Sequence, residues 1–177
     1  YSAQGDYTVY WTYTDTYSNS VTQTQSVKVH DTTAPEITVC PPAGTALAGT
    51  NCQAAVPNFT TNTVATDNCN GNLTITQNPP PGTLVGAGSH PVTITVKDSA
   101  TNAVTCDTSF AVTVPAFTVG SLPTVTNQCT VTLTPPTATD ACGGIITATT
   151  TNALTYSVQG DYTVYWTYTD AYSNSVA

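Results

Sequence analysis

The chain has 177 residues, 40% of them hydrophobic and only 7% charged, with net charge −8 and pI near 4.1. Lys28 and Lys97 are its only strong bases, so no phosphate-binding patch can form; nucleic acid is excluded and anionic membrane surfaces are disfavoured. No apolar run is long enough to cross a bilayer as a helix.

Taken in chain order, the segments alternate with period two and show no helical period. YTVYWTYTD (7–15), LTITQ (73–77), PVTITVKD (91–98), SFAVTV (109–114) and TVTLT (130–134) each read as strands. Turn clusters separate them: PPAG, TDNCNGN, NPPPGT, GAGS, DSATN, DACGG and DAYSN. Threonine occupies 40 positions, and its branched polar side chain suits the wet face of a sheet. Many short strands with Gly, Pro, Asn and Asp turns predict an all-β chain of tandem β-sandwiches. Pro35 and Pro115 bracket a complete domain at 31–115. Residues 1–30 read as the C-terminal part of an incomplete repeat, and 116–177 as a sandwich lacking its last strand.

The strongest signal is internal. YSAQGDYTVYWTYTDTYSNSV (1–21) returns as YSVQGDYTVYWTYTDAYSNSV (156–176), identical at 19 of 21 positions and offset by 155. A long fixed period is the signature of repeat architecture. The array is therefore expected to continue, with something equivalent to 22–31 following Ala177, either covalently or as a strand given by a neighbour. Fainter echoes link the two domain types: residues 89–104 align with 161–176, and 51–69 with 128–142.

The DTTAPEITVCPP opening, the cysteine before AAVP, ATDNC, VTITVKDSATN and CDTSFAVTV together resemble the hyalin repeat (HYR), an immunoglobulin-like extracellular module. The resemblance covers 31–115; GDYTVYWTYTD is also similar to the PKD immunoglobulin-like domains. It implies tandem immunoglobulin-like sandwiches of the kind found in large bacterial surface adhesins, including gliding adhesins of Bacteroidota. It implies an extracellular or cell-surface location, a structural or adhesive task and no catalytic residues. The function expected is a structural repeat of a filament or adhesin stalk, packed head to tail against copies of itself or adjoining repeats. The alternative is a glycan- or protein-binding module. No nucleic-acid partner, membrane insertion or cofactor is expected.

Six cysteines without Cys-x-x-Cys spacing suggest disulfides and an oxidising compartment. The 31–115 domain carries Cys40, Cys52, Cys69 and Cys106, whereas the second type keeps only Cys129 and Cys142. Two positions lost together are most simply partners. The expected bonds are Cys40–Cys106, Cys52–Cys69 and Cys129–Cys142.

Val9, Trp11 and Tyr13 share one strand face, as do Val164, Trp166 and Tyr168. They align with Val92, Ile94 and Val96, which marks them as core. Tyr10 and Tyr165 point the other way and are the candidate contact residues. Tyr7 and Tyr162 take the position of a sandwich corner tyrosine whose hydroxyl bonds backbone, and His90 aligns there as a substitute. Asp67, Asp98, Asp140 and Asp170 each sit in a turn whose amides they can bind. No metal site is expected; the candidate Ca²⁺ oxygens are Asp31, Glu36 and Asp98, but Ca²⁺ wants six to eight oxygens and no DxDxDG loop exists. His30 and His90 lack a nucleophile signature. Asn58 and Asn72 open N-glycan sequons, and Thr32 and Ser99 lie in Asp-Thr and Asp-Ser contexts used for O-glycans.

Overall fold

The computed structural model describes residues 3–69 and 71–177. Tyr1 and Ser2 of the first repeat copy, and Asn70 of the TDNCNGN turn, lie outside the described residues. The chain is all-β; among the described residues its one helical turn is a 3₁₀ turn at Thr60–Asn62. It opens on a hairpin of β1 (Gly5–Thr14) and β2 (Ser20–Val29). Eight strands follow: β3 (Glu36–Val39), β4 (Gly44–Leu47), β5 (Gln53–Ala55), β6 (Val64–Thr66), β7 (Thr74–Asn78), β8 (Leu84–Gly86), β9 (Gly88–Lys97) and β10 (Ala103–Thr113). Six short strands close it: β11 (Val131–Thr132), β12 (Thr137–Thr139), β13 (Ile145–Thr147), β14 (Thr155–Tyr156), β15 (Tyr168–Thr169) and β16 (Ser175–Val176). The expected strand at 130–134 shrinks to β11 because Pro135 and Pro136 follow it, and proline has no N–H to give to a ladder.

Strands β4, β10, β9 and β7 are hydrogen-bonded in that order. β7 runs antiparallel to β9, from Thr74↔Lys97 to Asn78↔Thr93, whereas β4 runs parallel to β10, from Gly44↔Phe110 to Leu47↔Thr113. Two-strand ladders join β3 to β6, β5 to β8, β11 to β14, β12 to β13 and β15 to β16.

Two compact units divide the chain. The first comprises Tyr1–Pro41, Phe59–Asn78 and Thr93–Asp107. Phe59, Ile94 and Val96 are buried in it, while Thr95 and Lys97 face outward to different degrees. That alternation is why a strand of Val and Ile spaced by Thr forms here: the apolar set goes to one face and the hydroxyls to the other. The second unit comprises Pro42–Asn58, Pro79–Val92 and Thr108–Ala177. Val56, Val92, Phe110 and Val112 are buried in it, as is a cluster of Phe117, Ile146, Ala148 and Tyr168, flanked by Val119, Ala138, Trp166 and Val176.

One turn recurs four times. After Asp15, Asp98, Asp140 and Asp170 the chain reverses, and the aspartate N–H donates to the carbonyl four residues on: Asn19, Asn102, Gly144 and Asn174. In each, Oδ1 accepts the N–H of that same residue. The fourth position is left-handed, at φ 65° for Ser18, 76° for Thr101, 85° for Gly143 and 68° for Ser173. This is the type I turn with a left-handed fourth residue that closes longer hairpins. In three copies the asparagine side chain also donates to Oδ2.

These bonds have a consequence for pH. At Asp15 the Asn19 side chain and backbone, helped by the Tyr17 amide, hold the carboxyl below its ordinary value despite some desolvation. At Asp170 desolvation acts to raise it, but the Asn174 side chain and backbone and the Tyr172 amide outweigh that and lower it. A depressed folded-state value means stability that is present above the ordinary aspartate range and lost as pH falls through the folded value. Asp170→Asn is therefore expected to narrow the stability gap between about pH 6 and about pH 3, read by urea unfolding at each; an unchanged gap would contradict the assignment.

Candidate functional site

The two copies of the repeated segment share the register beside their aspartate turn and the same tyrosine contact. Tyr13↔Val21 and Thr14↔Ser20 in the first copy match Tyr168↔Val176 and Thr169↔Ser175 in the second. The Tyr7 hydroxyl donates to the Ala3 carbonyl at 2.8 Å, and the Tyr162 hydroxyl to the Val158 carbonyl at 3.1 Å. His90 does the equivalent in the middle domain, its Nε2 lying 2.8 Å from the Gly86 carbonyl oxygen, again four residues upstream. Each fastens its segment to the backbone four residues upstream.

Burial is where the copies part. Tyr168 is 4% exposed and Trp166 packs on its cluster, as the alignment with Val92, Ile94 and Val96 predicts. Trp11 and Tyr13 are 51% and 56% exposed. The expectation that this first face is core is therefore corrected: among the described residues no second layer covers it. Instead Trp11 Nε1 donates across the hairpin to Gln25 Oε1 at 2.8 Å. Tyr10 and Tyr165, the candidate contact residues, are both exposed. The copies also differ at their edges. β2 pairs with β1 along ten residues, but in the second copy the ladder to β16 covers only Tyr168 and Thr169. Residues 161–166 carry no strand pairing. All of them but Tyr165 line an open groove of about 1240 Å³ with Leu122, Val131, Tyr156 and Val158.

The cysteines give one agreement and one correction. Cys40 and Cys106 are bonded, with Cα atoms 6.2 Å apart. Cys52 is bonded to Cys142, Cα atoms 5.1 Å apart, and Cys69 and Cys129 are exposed thiols. The expected Cys52–Cys69 and Cys129–Cys142 pairs are thus not those present. Partner choice follows Cα approach, and the fold places Cys52 and Cys142 in one compact unit while Cys69 belongs to the other. The two disulfides fit an oxidising compartment.

Of the Ca²⁺ candidates, Asp31 meets neither Glu36 nor Asp98 as a ligand set. It lies with Asp67 and Cys69, with potential ligand atoms within 4.8 Å of one another. Among the described residues, no hydrogen-bond donor reaches the buried Oδ2 of Asp31 or Oδ2 of Asp67. Desolvation, then the Asp31 carboxylate beside it and the charges of Asp67 and Asp98, raise the Cys69 thiol above its ordinary value. Glu36 stands exposed on β3 opposite Thr66. Both Asp98 oxygens are taken by Asn102. Asp31 and Asp67 are 36 positions apart in sequence, and no local motif announces their meeting.

Each histidine has a contact partner. His30 Nε2 lies 2.6 Å from Asp6 Oδ1, and Lys28 Nζ lies 3.5 Å from Asp6 Oδ2, all on the exposed hairpin. Thr32, Asn58, Asn72 and Ser99 are all at the surface.

Residues 30–114 match the family model of the HYR domain. HYR domains are immunoglobulin-like repeats of extracellular proteins, a non-catalytic family whose role is structural or adhesive. A comparison with curated proteins finds no match.

Proposed function

We propose that this chain is a structural repeat segment of an extracellular filament or adhesin stalk, built head to tail from copies of itself or adjoining repeats. The observation that carries this reading is the recurrence of one strand–turn unit on both sides of the HYR domain, with the same register, aspartate turn and corner tyrosine. A repeat of this kind touches mainly its neighbours and extends in one dimension. The surface suits a spacer: it is rich in threonine, and Lys28–Asp6 is the one lysine–carboxylate pair among the described residues, with the His30 ring against the same carboxylate. Thr32, Ser99, Asn58 and Asn72 are the positions where glycans would decorate it.

Electron microscopy of the native material tests the reading. An elongated particle is expected, with an axial spacing that repeats every two modules, because one 155-residue period holds two unlike domains. A compact particle, or a repeat of one module, overturns it.

A second reading has its own observation. Tyr10 and Tyr165 stand 68% and 73% exposed at equivalent positions of the two copies, as side chains that stack on sugars or anchor a protein contact do. Selective binding on a glycan array, lost on joint Tyr10→Ala and Tyr165→Ala, would make the chain an adhesive module in its own right.

A further inference from the structure

We propose that Asp31, Asp67 and Cys69 form a site for a divalent cation of the Zn²⁺ class, with two carboxylate oxygens and one thiolate sulfur as its ligands. The site uses none of the residues on which the repeat reading rests.

The fold brings the three together within the first compact unit. Asp31 lies between β2 and β3, where the HYR match begins; Asp67 directly follows β6, and Cys69 comes two residues later. β3 and β6 are paired, with Glu36 opposite Thr66, so the chain enters the domain beside the end of β6. The backbone is fastened there as well: the Asn102 side-chain N–H donates to the Asp31 carbonyl at 3.2 Å. Asn102 is itself held by both oxygens of Asp98.

Each carboxylate has one oxygen in use and one to spare. Oδ1 of Asp31 accepts the Thr33 N–H at 3.0 Å, and Oδ1 of Asp67 accepts the Cys69 N–H at 2.9 Å. Bonds of this kind orient metal-ligating carboxylates. Oδ2 of each is buried and meets no donor among the described residues. Asp31 is the buried member of the cluster and Asp67 is half-buried. Burying a carboxylate oxygen without a donor or counter-charge is costly, and two carboxylates side by side also repel. No lysine relieves them: Lys28–Asp6 is the one lysine–carboxylate pair among the described residues. A cation would satisfy both oxygens and cancel the repulsion.

The donor set selects the kind of cation. Ca²⁺ takes six to eight oxygens, whereas a thiolate suits softer and borderline metals. Cys69 is a free, exposed thiol, so the sulfur is available and solvent reaches it. One ligand atom from each residue lies within 4.8 Å of the other two. Zn–O and Zn–S bond lengths put tetrahedral ligands about 3.3–3.8 Å apart. A small inward movement therefore completes three corners and leaves the fourth to water. Binding converts the thiol to thiolate and releases its proton. The bound cation would tie the entry to the domain to the loop after β6.

The test uses the full chain, freed of metal with a chelator. It is titrated with Zn²⁺ alone by calorimetry and with Co²⁺ alone by absorbance. One Zn²⁺ per chain, a rise in Tm and a thiolate-to-cobalt charge-transfer band are expected. Alkylation mapped by mass spectrometry should show that Zn²⁺ protects Cys69 and leaves Cys129 reactive. Asp31→Asn and Asp67→Asn should each weaken Zn²⁺ binding by about tenfold or more. Cys69→Ser should abolish the cobalt band, and Cys129→Ser should change nothing. Circular dichroism checks that each variant folds; where one does not, the protection pattern of the unaltered chain decides. The site is overturned by an absence of saturable Zn²⁺ binding, by Cys69 staying as reactive as Cys129, by binding that survives both Asn variants, or by Ca²⁺ displacing Zn²⁺ at equal concentration. A compact particle under the microscope would remove the filament reading and leave this site standing.

Discussion

Replacing Cys40 and Cys106 together by alanine is expected to lower the unfolding free energy by about 2–5 kcal/mol. The bond joins the residue after β3 to the middle of β10, across a sequence separation of 66. Closing a loop of that length in the unfolded chain corresponds to about 4 kcal/mol of chain entropy. Few charges are present to compensate, and exposed ion pairs such as Lys28–Asp6 contribute little. Thermal or urea unfolding of the double variant measures the loss. The cluster of Phe117, Ile146, Ala148 and Tyr168 lies in the other unit, so a near-UV signal from Tyr168 and Trp166 should move much less than the global transition. An equal shift in both would mean that the units unfold as one body. Peptide mapping of the same material should recover Cys52–Cys142; a Cys52–Cys69 peptide would overturn that assignment.

The same substitution made in the two copies should give opposite results. Tyr168→Ala removes a ring that is 4% exposed and leaves a cavity beside Phe117, Ile146 and Ala148, at a cost of about 3–4 kcal/mol. Tyr13→Ala removes the identical residue from the identical local sequence, but the ring is 56% exposed, and the cost should stay below about 1 kcal/mol. Urea midpoints of the two variants decide it. Comparable losses would mean that the hairpin face is covered in solution as thoroughly as the Tyr168 face.

That contrast marks how far the sequence alone reaches. Val92, Ile94 and Val96 announce a buried face by period, because β9 has neighbours bonded on both edges. The corner contact of Tyr7, Tyr162 and His90, each to a carbonyl four residues upstream, is a local device and is legible from the alignment of the three segments. The aspartate turns are legible for the same reason. Trp11 and Trp166 share their neighbours along the chain and differ only in what folds against them, which no local pattern encodes. Cys52 chooses Cys142 over a separation of 90, and Asp31 meets Asp67 and Cys69 across 36 residues or more. Both depend on how loops come together in space. Reasoning from the paired absence of cysteines therefore finds Cys40–Cys106, whose Cα atoms the fold brings within bonding reach, and misassigns the rest.

The Cys40–Cys106 bond also sets what the chain can do under tension. A pull transmitted along the backbone enters before Cys40 and leaves after Cys106, so the bond carries it covalently past the residues between. At about 3.3–3.6 Å per extended residue, the 66-residue span would otherwise release roughly 220 Å of slack on unfolding. Once the bond is reduced, β4 and β10, which lie parallel from Gly44↔Phe110 to Leu47↔Thr113, take the load, and opposed forces on the two strands act on their hydrogen bonds together in shear instead of peeling them one at a time. The 40–106 span therefore keeps its length under load until its sulfurs are reduced, and that length becomes a function of redox state.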